Sequence, residues 1–274
     1  METEAKEEIT GKFNWKAPSV VPSFVSGEDA RAIYEQVKGK FGNVWYDEES
    51  KTMYGSNFPI AARVDSIVRH LGIRVASLAD LSKQEIMEMM KGKHYSDTPA
   101  LVLRSEQDSY EPNNDIIREL LPHVEEKQGK LELPVLVRGL DVVVSAKNKY
   151  GWGVVPRDDF NVIEDERLDV KYNGNKFLDT DGIGLPIFDK KGSRTWYAGA
   201  GISGLYLGRN LGLNSCYGYL ADSGESGRVA LILGEAAPKF FDRYTSEIEM
   251  EFKKQESELL ERKGRALRIL KGKE

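Results

Sequence analysis

TWYAGAGISGLYLGRNLGLNSCYGYLADSGESGRVALIL, residues 195–233, is the stretch on which the fold of this chain turns. Its apolar residues form a skeleton: Leu205, Leu207, Leu211, Leu213, Leu220, then Val229, Leu231 and Leu233. Side chains alternate along a strand, so Leu205-x-Leu207 and Leu211-x-Leu213 each place two leucines on one face. Gly208-Arg209-Asn210 between them has the composition of a hairpin loop. Tyr206 and Gly212 then point to the other face. Residues 214–219 and 223–227 are rich in turn formers, and 228–233 closes the unit as a largely buried strand. The leucines read as scaffold and the residues between them as displayed. From Tyr197 to Gly224 there is no Lys, Glu, Gln, Met or Trp, although Lys and Glu are common elsewhere.

Gly199-Ala-Gly201-Ile-Ser-Gly204 also matches G-x-G-x-x-G and resembles the opening of a flavoprotein dinucleotide-binding fold. That motif needs a buried strand before it, a helix after it, and an acidic residue about 20 positions on. Gly-Ser-Arg-Thr-Trp-Tyr upstream is not a buried strand, and Gly208 and Gly212 would each cost a following helix about 1 kcal/mol relative to Ala. Asp222 stands at a plausible distance, but too little chain follows it to complete a doubly wound sheet.

The whole chain has 274 residues, enough for one large domain or two modest ones. A net charge of −5 argues against a dedicated nucleic-acid binder. The acidic start, METEAKEEITGKF, is not a secretory signal, and no run approaches the ~18 apolar residues of a membrane span. These features leave a cytoplasmic, virion or surface-associated location open. One cysteine, Cys216, excludes an intrachain disulfide. Three scattered histidines, His70, His94 and His123, do not suggest a zinc site, and no cofactor is expected.

Residues 1–22 read as a tail and 23–129 as a mixed α and β region. Ser26 suits the N-cap of a helix with Glu28 and Asp29 in its first turn and Ala30, Ile33, Tyr34 and Val37 facing inward. A short strand pair over 41–54 turns at 47–50. Helices are expected over 61–71 and 82–90, the second with Ile86, Met87, Met89 and Met90 as core filler; a strand is expected over 100–103. Glu111-Pro112-Asn113 matches the calcium and sugar triplet of mannose-type C-type lectins, but the Trp-Asn-Asp partner sequence is missing. The simpler reading makes Asn113, Asn114 or Asp115 the cap of a helix over 116–126.

Gln128-Gly-Lys marks a boundary. Beyond it, most of the 26 glycines occur and strands dominate. Runs at 133–137, 142–145 and 152–155 read as short strands, with turn clusters at 156–160 and 172–176. Asn173-Gly174 suits a tight hairpin, and 179–184 is a surface loop rather than a cation loop. Residues 238–274 form a C-terminal unit, helical over 240–271, with a broken apolar stripe and both charge signs.

A Trp, short Leu-x-Leu strands, a segment rich in Gly, Ser, Asn and Tyr, and a closing Gly-Arg-Val strand follow one another in 195–233. In this order they resemble the terminal part of C-type-lectin-fold domains, in particular the variable proteins of diversity-generating retroelements. With VSAKNKYGWGVVPRDDF (144–160) ahead of it, the stretch is similar to archaeal members of that family. In such systems an error-prone copy, mutated at template adenines, replaces the variable region. Codons AAC and AAT then yield a residue set that lacks Lys, Glu, Gln, Met and Trp, matching the gap from Tyr197 to Gly224; Glu225 lies beyond it. The Arg-Gly-Gly-Ser-Trp signature of the formylglycine-enzyme-like branch is absent, and the family's variable segment ordinarily lies nearer the chain end.

The resemblance implies an α+β protein with a C-type-lectin-like variable domain over 130–237 and no catalytic residues. Its variable, ligand-binding positions would be Tyr197, Ala198, Ala200, Gly201, Gly204, Tyr206, Gly208, Arg209, Asn210, Gly212, Asn214, Cys216, Tyr217, Gly218, Tyr219, Asp222 and Gly224. The expected ligand is a macromolecule, a protein or surface glycan, because the displayed patch does not read as a concave pocket. Two alternatives remain. One is a flavin or nicotinamide oxidoreductase using Gly199, Gly201 and Gly204. The other is a structural or virion component that oligomerises through the C-terminal helix.

Overall fold

The computed structural model describes residues 22–27, 30–216, 218–234 and 263. The expected tail ahead of residue 22, Glu28 and Asp29 of the first helical turn, Tyr217, and the expected helix over 240–271 apart from residue 263 lie outside the described residues.

Helix α1 (Ala30–Val37) buries Ala30, Ile33 and Val37, the expected face, with Tyr34 half-buried against Tyr46. Strands β1 (Ser23–Phe24), β2 (Trp45–Asp47) and β3 (Thr52–Tyr54) follow the same economy of short elements. The β2–β3 turn lies at the expected place, where Asp47 Oδ1 accepts from the N–H groups of Glu49 and Ser50. Helix α2 (Phe58–Val68) starts before the expected 61, because Asn57 caps it: its Oδ1 accepts from Ile60 N at 2.8 Å, with Pro59 in the first turn. β4 (Ile73–Val75), α3 (Leu78–Leu81) and α4 (Gln84–Met90) come next, and Ile86 and Met90 are fully buried.

The expected strand at 100–103 is the end of a longer one, β5 (Ser96–Leu103). Helix α5 (Glu111–Gln128) begins ahead of its expected start, with Tyr110 in the N-cap position and no side-chain cap. Asn113 is therefore not a cap. It lies inside the first turn, fully buried.

The runs at 133–137 and 142–145 are one strand, β6 (Val135–Val144), interrupted by a register shift between Arg138 and Leu140. Gly139 sits there at φ +73°, where a Cβ would meet the Asp159 carbonyl at 2.4 Å. The turn expected at 156–160 lies instead within β7 (Trp152–Glu164), whose Pro156 pairs opposite Leu140 at that bulge. β8 (Lys176–Thr180) and β9 (Pro186–Phe188) form a hairpin, and Asp181 Oδ1 accepts from Ile183 N and Leu185 N in its loop. Asn173-Gly174 joins a short 3-10 turn to β8 rather than linking two paired strands.

β10 (Arg194–Ala198), β11 (Ile202–Leu207), β12 (Leu213–Ser215) and β13 (Ala230–Leu233) carry the deciding stretch. One eight-stranded sheet runs β7-β6-β5-β11-β12-β10-β8-β9. Trp196 is a fully buried strand residue in one core cluster with Phe177, Leu185, Leu205, Leu207 and Leu213. β11 and β12 pair antiparallel as expected. Leu211 is not part of the second strand: it takes φ +62° in the loop, so Leu211 and Leu213 do not form a strand pair. The closing strand does not join this sheet. β13 lies between β1 and β4 in a separate three-stranded sheet, and its last residue, Leu233, is exposed.

β5, from the N-terminal half, lies between β6 and β11, so the sheet continues across the expected 129/130 boundary. The described residues through Leu233 form one compact unit of mixed α and β structure around a large sheet.

Candidate functional site

The pairing of β5 with β11 is irregular at one place, and the irregularity builds the site. Pro99 has no N–H to give to the ladder. Gly204 stands opposite Leu101 and Tyr206 opposite Asp97, so β5 holds extra residues between them. The Thr98 hydroxyl donates to Leu205 O at 3.0 Å and satisfies the carbonyl there. Leu205 and Leu207 face the core with no exposed surface, while Gly204, Tyr206 and Asp97 face a cavity of about 530 Å³.

The cavity has a floor and a wall. Asn57 and Phe58 from the start of α2, with Tyr95 and Asp97 from β5 and the residue before it, form the floor. Nine of the seventeen candidate positions lie on the wall: Gly204, Tyr206, Gly208, Arg209, Asn210, Asn214, Tyr219, Asp222 and Gly224. The expectation that the displayed patch is not a concave pocket is thus corrected: these positions line one. Strand alternation on β11 and a turn-rich chain around its edge bring these positions together. Tyr197, Ala200, Cys216 and Gly218 do not line the cavity.

Three candidate positions are structural. Ala198 is 4% exposed and packs in the Trp196 core. Gly212 is buried, and a Cβ there would lie 3.0 Å from both Thr195 O and Tyr197 Cε2. Gly201 adopts φ +68°, and an added Cβ would collide with the Asp108 carboxylate, which accepts from Ile202 N at 3.0 Å. Side chains at these three positions disturb the scaffold rather than change a binding surface.

The loop at 218–227 is held by its backbone. Asn57 Nδ2 donates to Ala221 O at 3.0 Å, and Asn113 Nδ2 donates to Gly218 O. Leu220 N donates to the Tyr150 hydroxyl at 3.1 Å, and Gly224 N to the Tyr95 hydroxyl at 2.7 Å. Tyr150 in turn donates to Asn113 Oδ1. Each of these anchoring side chains lies outside 197–224. None was identified from the sequence as part of a site: Asn57 carries only a helix-start signal, and nothing local places it near residue 221.

Asp97 is 7% exposed, and its Oδ2 has no hydrogen-bond partner among the described residues. Burial pushes its pKa up to about 7, against the pull of the Ser56 hydroxyl and with the Asp222 charge adding to the rise. Burial likewise pushes Tyr95 up to about 12, with the Asp97 charge reinforcing it. Tyr95 and Tyr206 meet edge to face at 5.8 Å. At the rim, Tyr219 is 49% exposed and packs edge-on against Tyr110 at 5.4 Å.

On the far side of β11, Arg104 donates to the hydroxyls of Ser203 and Ser215 at 2.9 and 2.8 Å and to Leu168 O. Burial pulls its pKa down to about 10. Burial pushes the Cys216 thiol up despite Arg104, which disfavours the nucleophilic thiolate. The glycine motif of 199–204 runs into strand β11, not the helix that a dinucleotide fingerprint requires. Among the described residues, no group of His, Cys, Asp and Glu is arranged to hold a metal ion, and no helix is long and apolar enough to cross a membrane.

The chain matches no protein-family model, no curated protein and no solved structure.

Proposed function

We propose that this protein is the variable protein of a diversity-generating retroelement: a non-enzymatic binding protein with a C-type-lectin-like scaffold, whose recognition site is the cavity between β5 and the loops after β11. Its ligand is a macromolecule, a protein or surface glycan, that inserts a protruding group.

The observation that carries this reading is the division of labour around the loop at 218–227. Its backbone is fixed by Asn57, Tyr95, Asn113 and Tyr150, all outside the segment that lacks Lys, Glu, Gln, Met and Trp. Side chains inside the segment can then change without loss of the bonds that shape it. Tyr206 and Tyr219 supply rigid aromatic area and Asn210, exposed at the loop tip, a polar group, the mixture that antibody loops use.

Deep sequencing of the gene across its source population tests the proposal. The expected result is substitution concentrated at Tyr206, Arg209, Asn210, Asn214, Tyr219 and Asp222, at AAC- or AAT-derived codons, with Leu205, Leu207, Leu213 and the four anchors unchanged. A segment as uniform as its flanks overturns it.

A further inference from the structure

Three carboxylates are buried among the described residues, and they are treated differently. Asp65 accepts from Val75 N and pairs with Arg69 and Arg157 at 2.7 and 2.9 Å. Asp80 accepts from Ser77 and pairs with Arg74 and Lys83 at 2.6 and 2.8 Å. Among the described residues Asp97 has no ion-pair partner, and its Oδ2 has no donor. An orphaned buried acceptor destabilises the fold, more so when charged. Asp65 and Asp80 are completed by the fold; Asp97 is the one left open, and it lines the cavity.

The surroundings of Asp97 select a sign. Asp222 adds a second carboxylate to the lining, and the cationic side chain there, Arg209, is exposed at the loop tip. Phe58, Tyr95 and Tyr206 contribute aromatic surface, which suits an aliphatic stem and attracts a cation over a ring face. A volume of about 530 Å³ accommodates a long side chain.

Building on the reading of this cavity as the recognition site, we infer that its floor takes a cationic group on an aliphatic stem, the lysine or arginine side chain of a protein ligand, with Asp97 as counter-ion. The floor lies outside the changeable segment, so every variant that keeps a small residue at 204 shares this anchor while the wall reads what surrounds it. Gly204 governs access. A Cβ there would stand 3.4 Å from Phe58 Cβ and 3.9 Å from Asp97 Oδ1, ordinary contacts, so longer side chains at 204 grow across the carboxylate.

Calorimetric titration of the full chain with the acetylated amides of lysine, arginine and uncharged citrulline tests the anchor. Lysine and arginine amides are expected to bind at least about tenfold more tightly than citrulline amide, and Asp97→Asn to remove that preference. Gly204→Val is expected to weaken both cations. Thermal unfolding of each variant establishes that it folds. Citrulline binding as well as arginine, or no binding by either cation, overturns the inference, as does an unchanged preference in a folded Asp97→Asn protein. Peptides selected from a random library on the full chain separate this failure from that of the site itself. Peptides rich in Lys or Arg that need Asp97 support the anchor. Peptides without basic residues that ignore Asp97→Asn but are lost on Tyr206→Ala overturn the cation and leave the cavity standing. Peptides indifferent to both overturn both.

Discussion

On the floor of the cavity, side chains do the holding; on the wall, the backbone is what is held. Asn57 uses both ends of its amide on structure: Oδ1 caps α2, and Nδ2 bridges Phe41 O and Ala221 O at 2.9 and 3.0 Å. Tyr95 holds Ser56 O and Gly224 N with one hydroxyl. Across the cavity, Arg209 and Asp222 make no ion pair among the described residues; the loop of Asp222 is held from main chain to main chain or by anchors elsewhere, while the loop of Arg209 is also held by Asn210 Oδ1, which accepts from Gly212 N, and by Asn214 Nδ2, which donates to Gly212 O. A side chain that shapes the fold is costly to change. One that the fold merely presents is not, and this asymmetry is what a binding surface open to variation requires.

The comparison breaks first on the core that both regions share. Leu205→Ala removes a fully buried side chain from the face of β11 opposite Tyr206 and is expected to cost about 2–5 kcal/mol in urea unfolding. Asn57→Ala removes a helix cap and strips two carbonyls of their donor; about 2 kcal/mol is expected. Hydrogen exchange is expected to speed up at 218–224 before it does so in β5.

Asp97→Asn sharpens the comparison through pH. The raised pKa means that between about pH 4 and about pH 7 the folded protein keeps a proton that the unfolded chain has released. Asp97 therefore lends stability at the low end of that window and withdraws it as pH rises through the upper end. The variant lacks this slope and is expected to exceed the parent by about 1 kcal/mol or more near pH 8 while matching it near pH 4. Parallel slopes in the two proteins would mean that Asp97 has a partner in solution. The smallest effect belongs to the wall: Arg209→Ser is expected to stay within about 0.5 kcal/mol of the parent. A loss of 2 kcal/mol there would end the distinction between floor and wall.

Much of the local architecture could be read from residue order. The β2–β3 turn, the inward face of α1 and the alternation of β11 follow from turn chemistry and period, which are properties of neighbours in the chain. The same alternation separated Leu205 and Leu207 from Tyr206, and that separation is the core of the site. Elsewhere distant residues override the local signal. Pro156 and its polar neighbours read as a turn yet run in β7, because the bulge at Gly139 receives them. Leu211 reads as strand yet adopts a left-handed loop conformation, with Arg194 Nε donating to its carbonyl at 2.8 Å. Asn113 reads as a cap, yet its amide is taken by Gly218 and Tyr150.

The sequence by itself determined the alternation of β11, with Leu205 and Leu207 as scaffold and Tyr206 on the other face, since side-chain period is local. Only the tertiary structure decided that the displayed residues enclose a cavity. It also supplied the floor, by inserting β5 beside β11 and bringing Asn57, Tyr95 and Asp97 to loops that follow them by more than a hundred residues. The physical reason is that strand pairing and buried hydrogen bonds act across space, whereas periodicity records only the chain's own neighbours.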